Sequence, residues 1–537
     1  MKNLDRIPDD QSSQTVSSAV PGAQPTSRII DSQLNERPVK EQPVHAVSRS
    51  PDAAYGSVIS DATESHKLEA FMSSRNQIGG GVALATVTAS ALGAWILFSP
   101  PEAGSAFGGL TAILGYCLGS AIAVFLFVFI GPRLRQIMPW GHSLNEFVRY
   151  RFSAGRFGKP MYWLTVGVML LYMFVYLAAE LTAIAQVLQL VISWPRLLSA
   201  LVVISIVFIY TAYGGLKATI LTDTVQFILI VPLLLLCFGM TTLLMGGFAQ
   251  ALAPVSATLP ELLSWGNIDG LQFGATLIVA IVAAEVFNQG NWQRVYACQS
   301  DVTVRRSFLG SALVVLPLIA IAGLLGLFAA GAGIAGPTAF FELLQSLTIP
   351  TWLLGCIITL ALALVMSSLD TLLNGIASVF TGDLLNLTNR PEKVLQVSRW
   401  LSAGVCLVAV AIAAQGYSVL YLFFIADLLC AALLFPILFS LYNRHQTAAS
   451  AFLSALIGIA VGAAFFPKPD FSPLFNIPGG GDLLNSFATA LISSTVITLL
   501  LNFVEKGRTT PFNYSSLKNV RAYTEVSSTR PTENAPQ

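Results

Sequence analysis

The chain has 537 residues, 54% of them hydrophobic and 11% charged, with a formal net charge of +1 and a mean hydropathy of +0.69. Soluble domains carry roughly 25% charged residues, so most of this chain is dissolved in lipid. A near-neutral balance without a basic run argues against nucleic acid. The four His residues (His45, His66, His142, His445) all fall outside the apolar segments, so zinc chemistry, a His-based triad and an enzyme have no support.

Residues 1–74 are rich in Ser, Pro, Gln, Asp and Ala and lack a helical apolar stripe, which predicts a disordered cytoplasmic tail. The opening "MKNLDRIPDD" is polar and acidic, unlike a secretory signal or a transit peptide. The membrane domain is expected over residues 75–505, and residues 506–537 read as a second, shorter cytoplasmic tail. Between the tails the apolar pattern predicts about twelve spans: 77–99, 107–131, 160–191, 197–213, 218–246, 271–292, 307–331, 351–382, 398–415, 418–442, 449–466 and 486–505. With both termini inside, fourteen basic residues from Arg133 to Arg444 fall on inner connections, against only Arg196 and Lys468 outside. That is the asymmetry of an inner or plasma membrane protein. The six cysteines lie in or beside apolar segments, form no CxxC, and read as inert thiols.

Polar atoms interrupt several spans. In the first, Ser90 and Gly93 fall near the middle, and Gly weakens the helix where carbonyls can line a cavity. A small-residue packing face is the rival explanation. Glu180 lies in the third span, Asp223 one to two turns into the fifth, and Asp427 in the tenth. The sixth ends "AAEVFNQGNWQR", placing Glu285, Asn288 and Gln289 in a run too polar for a lipid-facing helix. Interrupted spans in corresponding positions of two five-span halves point to a carrier's central site. The eighth, "IITLALALVMSSLDTLL", concentrates Ser367, Ser368, Asp370 and Thr371 in about one turn. A carboxylate at mid-membrane costs about 2.5–3.5 kcal/mol, so such residues usually serve an ion or solute path. Hydroxyls bonding back to helix carbonyls are the bland alternative.

At these residues the chain resembles the sodium/solute symporter family, over roughly residues 77–465. "YTAYGGLKATILTDTVQ", "NQGNWQRVYACQS" and "ALVMSSLDTLLNGIASVFTGDL" look like three of its motifs, in the family's order. The flanking "GPRLRQIMPWGHSLNEFVRYRFSAGRFG" looks closest to the branch containing urea carriers. The resemblance implies an all-α membrane fold of two inverted five-helix repeats, about 77–246 and 271–442, plus two C-terminal helices. It also implies one sodium ion held by Ser367 and Ser368 with carbonyls of Ala89, Leu92 and Leu364. Asp223, Asp370 and Thr371 would form a second cation site or a proton path. Asp370 stands where members with two sodium sites carry Ser, and Ala284 stands where the sugar carriers carry a gating Tyr. The first departure leaves proton coupling as an alternative, and the second argues against a sugar pocket.

The leading reading is sodium-coupled symport of a small polar solute across the inner or plasma membrane. A membrane sensor built on the same fold is a further alternative. Membrane lipid is the other expected partner, and no obligatory protein partner is evident. Glu285, Asn288, Gln289, Glu180 and Asp427 are the candidates for the solute site. No Lys or Arg falls inside a clearly buried stretch, so a neutral or cationic solute is expected and a dianion ranks last.

Overall fold

The computed structural model describes residue 69 and residues 71–387 and 391–520; the tail expected over residues 1–74 lies mostly outside them. Sixteen α-helices appear among the described residues. α1 (Gly80–Ser90), α2 (Ser99–Ala106) and a 3-10 turn between them (Ala94–Leu97) form the first span, bent by 56°. α3 (Leu110–Ile137), α4 (Leu144–Arg151), α5 (Gly158–Ile192) and α6 (Arg196–Leu244) follow. After α7 (Phe248–Thr258), the sixth span is α8 (Ile268–Val286) with the short α9 (Gln289–Ala297) beyond it. α10 (Asp301–Gly331), α11 (Ala339–Ser346), α12 (Thr351–Leu387), α13 (Pro391–Gln415) and α14 (Val419–Ser440) precede α15 (Ala448–Phe465) and α16 (Leu483–Glu505).

Ten of these helices are long and apolar enough to cross a membrane, and the bent α1/α2 pair makes an eleventh span. The expected twelfth lies inside α6. Gly215 interrupts that helix with φ 56° and ψ −157°, a conformation that only Gly adopts without strain. The break falls between the fourth and fifth spans read from sequence. A Cβ at Gly215 would lie 2.5 Å from the Phe71 ring, so Gly is also required by that contact.

Local chemistry sets several helix starts. Ser143, Asn267, Asn288 and Ser300 each accept a backbone N–H two or three residues on. Asn288 therefore ends the sixth span and starts α9 in one residue. The helices then pack so that α12 lies against α6 and α5, α1 against α6 and α10, and α14 against α5 and α8.

Residues of both expected tails pack against the bundle. Phe71, Met72, Ser73 and Ser74 are buried. Their segment runs alongside α9, with Asn76 N donating to Tyr296 O and Ile78 N to Ala297 O at 3.1 and 3.0 Å. At the other end the Tyr514 hydroxyl donates to Ser440 O at 2.6 Å, holding a 3-10 turn (Tyr514–Asn519) against the bundle. A short polar segment with a few apolar residues has no periodic signal, so its docking was not legible.

Candidate functional site

Ala91, Leu92 and Gly93 separate the two halves of the first span, where the sequence placed a break. A Cβ on Gly93 would lie 2.0 Å from Glu180 Oε1 and 2.6 Å from Trp95 Cδ1, so a side chain there would push Glu180 and Trp95 aside. Glu180 Oε2 accepts the Ala94 N–H at 2.8 Å. Its carboxylate thus sits at the amino end of the second half-helix, where unsatisfied N–H groups favour negative charge. Glu180, read from sequence as a neighbour of the solute, braces the break.

The hydroxyl pair lies on α12, which touches both α1 and the 3-10 turn. Ala89, Leu92, Leu364, Ser367 and Ser368 are all buried. Ser367 Oγ donates to Asp223 Oδ1 at 2.6 Å, and Ser368 Oγ donates to Leu364 O at 3.2 Å. Each hydroxyl directs its proton to an acceptor, which leaves lone pairs for a cation. A set of carbonyl and hydroxyl oxygens suits a hard cation.

Beside it lies a denser polar cluster. Arg294 Nη2 is 2.6 Å from Asp223 Oδ2, with both side chains fully buried. The same nitrogen donates to Thr371 Oγ1 at 2.7 Å, Nε to Thr86 O at 3.2 Å, and Nη1 to Gly290 O at 3.0 Å. The Thr86 hydroxyl donates to Asp223 as well. Asp370 Oδ2 accepts from Tyr210 OH at 2.9 Å and Thr222 Oγ1 at 2.8 Å. The sequence reading placed Arg294 on an inner loop and no base in the core; that reading is corrected here. An arginine at a span end and one folded back beneath it are indistinguishable as a string. Asp223, Asp370 and Thr371 are brought together as expected, with a guanidinium among them.

The solute candidates divide. Glu285 and Asp427 line one cavity, together with Trp95, Tyr116, Tyr172, Tyr176 and Phe423. Trp95 and Tyr116 stack at 5.5 Å between ring centroids, and Tyr176 meets Phe423 edge-on at 5.0 Å. Glu285 is held by Asn291 Nδ2 at 2.6 Å and Tyr172 OH at 3.3 Å. The free volume of about 40 Å³ is room for a few waters, so a larger solute requires the rings to move. Asn288 and Gln289 do not line this cavity. Asn288 caps α9 and donates to Glu285, while Gln289 Nε2 donates to His142 O at 2.8 Å. The aromatic wall escaped the sequence reading because its rings come from the 3-10 turn, α3, α5 and α14. Only Tyr172 and Tyr176, four apart on one helix, carried a local signal.

The segment before α1 is tied to the loop that follows α3. Arg75 Nε is 2.9 Å from Glu69 Oε1, and its Nη1 donates to Pro139 O at 2.7 Å. His142 Nε2 is 2.7 Å from Glu69 Oε2, and Nδ1 is 3.5 Å from Glu146. Burial raises the Glu69 carboxyl, but the His142 hydrogen bond and the charges of His142 and Arg75 outweigh it and hold it at about 2. Burial lowers His142, and its bonds to Glu146 and Glu69 more than offset this, leaving it above its usual range.

The family model described as "Sodium:solute symporter family" matches residues 71–458. A spermidine transporter of Candida albicans is 27% identical over 404 residues, covering 73% of this chain and 74% of that protein. A sodium/proline symporter of Haemophilus influenzae is 26% identical over 484 residues, covering 84% and 92%. Among solved structures, a Na+-coupled sialic acid symporter in a substrate-bound outward-open state aligns with a TM-score of 0.65 at 18% identity. It covers 86% of this chain and 98% of that one, a likeness of fold.

Proposed function

The chain belongs to the sodium:solute symporter family, and on that premise we propose how it performs sodium-coupled symport of a small polar solute. It is an integral membrane protein of the plasma membrane and a carrier, not an enzyme. In this reading the membrane domain spans residues 75–505, with both termini cytoplasmic. The repeats at about 77–246 and 271–442 move against each other to expose the centre to either side.

Sodium is held by Ser367 and Ser368 with the carbonyls of Ala89, Leu92 and Leu364. The supporting observations are the Gly93 break after α1 and the Asp223 carboxylate, which Ser367 of α12 and Thr86 of α1 both bond. Sodium sheds water on binding and must recover oxygen ligands from the protein. A break in one helix supplies carbonyls, and the facing helix supplies hydroxyls. Asp223, Asp370 and Thr371 serve as a proton path beside the sodium, with Arg294 balancing the charge of Asp223. The solute occupies the cavity of Glu285 and Asp427, and Glu180, Asn288 and Gln289 shape it from outside. Spermidine and proline differ in charge and shape, so kinship alone does not select the cargo.

Uptake against sodium concentration at fixed membrane potential tests the assignment. Ser368→Ala removes one ligand and should raise half-saturating sodium at least about tenfold, the effect of losing one charge-assisted contact. Solute selectivity should be unchanged. Unaltered sodium dependence in Ser368→Ala, or uptake that follows protons with no sodium requirement, refutes it.

A further inference from the structure

Building on the symport reading, we infer that the solute is a linear organic dication or polyamine, bound between the Asp427 and Glu285 carboxylates inside the aromatic wall. Asp427 is 4% exposed, and its Oδ1 is buried with no hydrogen-bond partner among the described residues. An unpaired carboxylate oxygen in an apolar setting is costly, so it points to an occupant that carries donors. Glu285 lines the same cavity. Its own partners, Asn291, Asn288 and Tyr172, are neutral donors that orient the carboxylate without cancelling its charge.

None of the residues lining this cavity is Lys or Arg. The nearby guanidinium, Arg294, is already bound to Asp223, Thr371 and Thr86. Two acids facing one space, with no base among its walls, are complemented by two positive charges. Trp95, Tyr116, Tyr176 and Phe423 add ring faces that attract a cation and pack the methylenes joining its ammonium groups. A quaternary ammonium would use the rings but could not donate to Asp427. An ammonium terminus satisfies both. A neutral amino acid or urea leaves the pair uncompensated.

Purified protein in liposomes with an inward sodium gradient distinguishes these cargoes, using labelled putrescine, spermidine, choline, proline and urea. Saturable sodium-driven uptake of putrescine or spermidine, inhibited by neither proline nor urea, is the expected result. Asp427→Asn keeps the shape and should raise the half-saturating spermidine concentration at least about tenfold while leaving half-saturating sodium within about twofold. Spermidine should also raise the thermal transition of the wild-type protein in detergent, and less so for Asp427→Asn. Sodium-driven uptake of proline, urea or choline that spermidine does not inhibit overturns the inference and leaves the symport reading standing. Spermidine uptake that ignores sodium supports the cation site and overturns the coupling instead. No uptake of any of the five by folded protein overturns both.

Discussion

Arg294 Nη2 and Asp223 Oδ2 stand 2.6 Å apart with neither side chain exposed, so α9 and the second half of α6 are joined by a buried ion pair. Removing one partner leaves a buried charge alone, which costs more than the pair itself contributes. Arg294→Ala should therefore destabilise the protein by about 3–5 kcal/mol, seen as an earlier thermal transition in detergent. The neutral double variant Asp223→Asn/Arg294→Gln should recover a large part of that loss. Equal stability of Arg294→Ala and wild type would mean that the pair is not formed.

Gly93 gives a second, local expectation. A methyl group there meets Glu180 Oε1 at 2.0 Å and the Trp95 ring at 2.6 Å. Gly93→Ala should abolish transport and cost about 1–3 kcal/mol by overpacking. Glu180→Ala clears that space at the expense of the bond to Ala94. The double variant should accordingly lose less stability than the two single losses added together. Strict additivity in a thermal-shift cycle would show that the two residues do not touch in the working protein.

The legible parts of this protein were those written in one stretch of chain. The break at Ser90–Gly93 announced itself as small residues inside an apolar run, and Ser367 to Thr371 as hydroxyls and an acid on one helix. The break follows α1, and the hydroxyl run lies on α12, which touches α1. The division of α6 was also readable, because Gly215 breaks it within the Gly-Gly pair of the sequence. Three features were hidden for a shared reason: each depends on partners distant in sequence. Arg294 looks like any inner-face arginine until Asp223, 71 residues away, is placed against it. Trp95 and Phe423 form one wall only after folding. Gln289 reads as a solute ligand until the backbone of His142 takes its amide.

The Glu69–His142 contact makes the packing of residues 71–78 depend on pH. His142 is raised above 6.5, so its contribution is complete below that value and is lost as pH rises through the higher folded value. Glu69 is depressed from 4.5 to about 2, so its contribution is complete above 4.5 and lost as pH falls through about 2. Both act fully between about 4.5 and 6.5. Amide exchange of residues 71–78, corrected for intrinsic rates, should be slower at pH about 5.5 than at about 9. His142→Asn should remove that difference. Identical protection at both values would contradict the clamp.

Thr371 separates the roles of the two polar clusters. Its hydroxyl receives the Arg294 Nη2 proton at 2.7 Å, and the guanidinium already supplies the positive charge that a second sodium would bring to Asp223. Another cation would have to displace a buried group bonded at four further points: Asp223, Gly290 O, Thr86 O and Thr86 Oγ1. One sodium per cycle is therefore expected, giving a hyperbolic sodium dependence with a Hill coefficient of about 1. Thr371→Val keeps the shape and removes the acceptor. It should lower stability by about 1–3 kcal/mol, the cost of stranding a buried donor, and leave half-saturating sodium where it was. Ser368→Ala should do the reverse, shifting the sodium dependence with little change in the thermal transition. Sigmoidal sodium dependence in the wild type, or a shift in Thr371→Val as large as in Ser368→Ala, would mean that the Asp223 cluster binds a second ion despite its arginine.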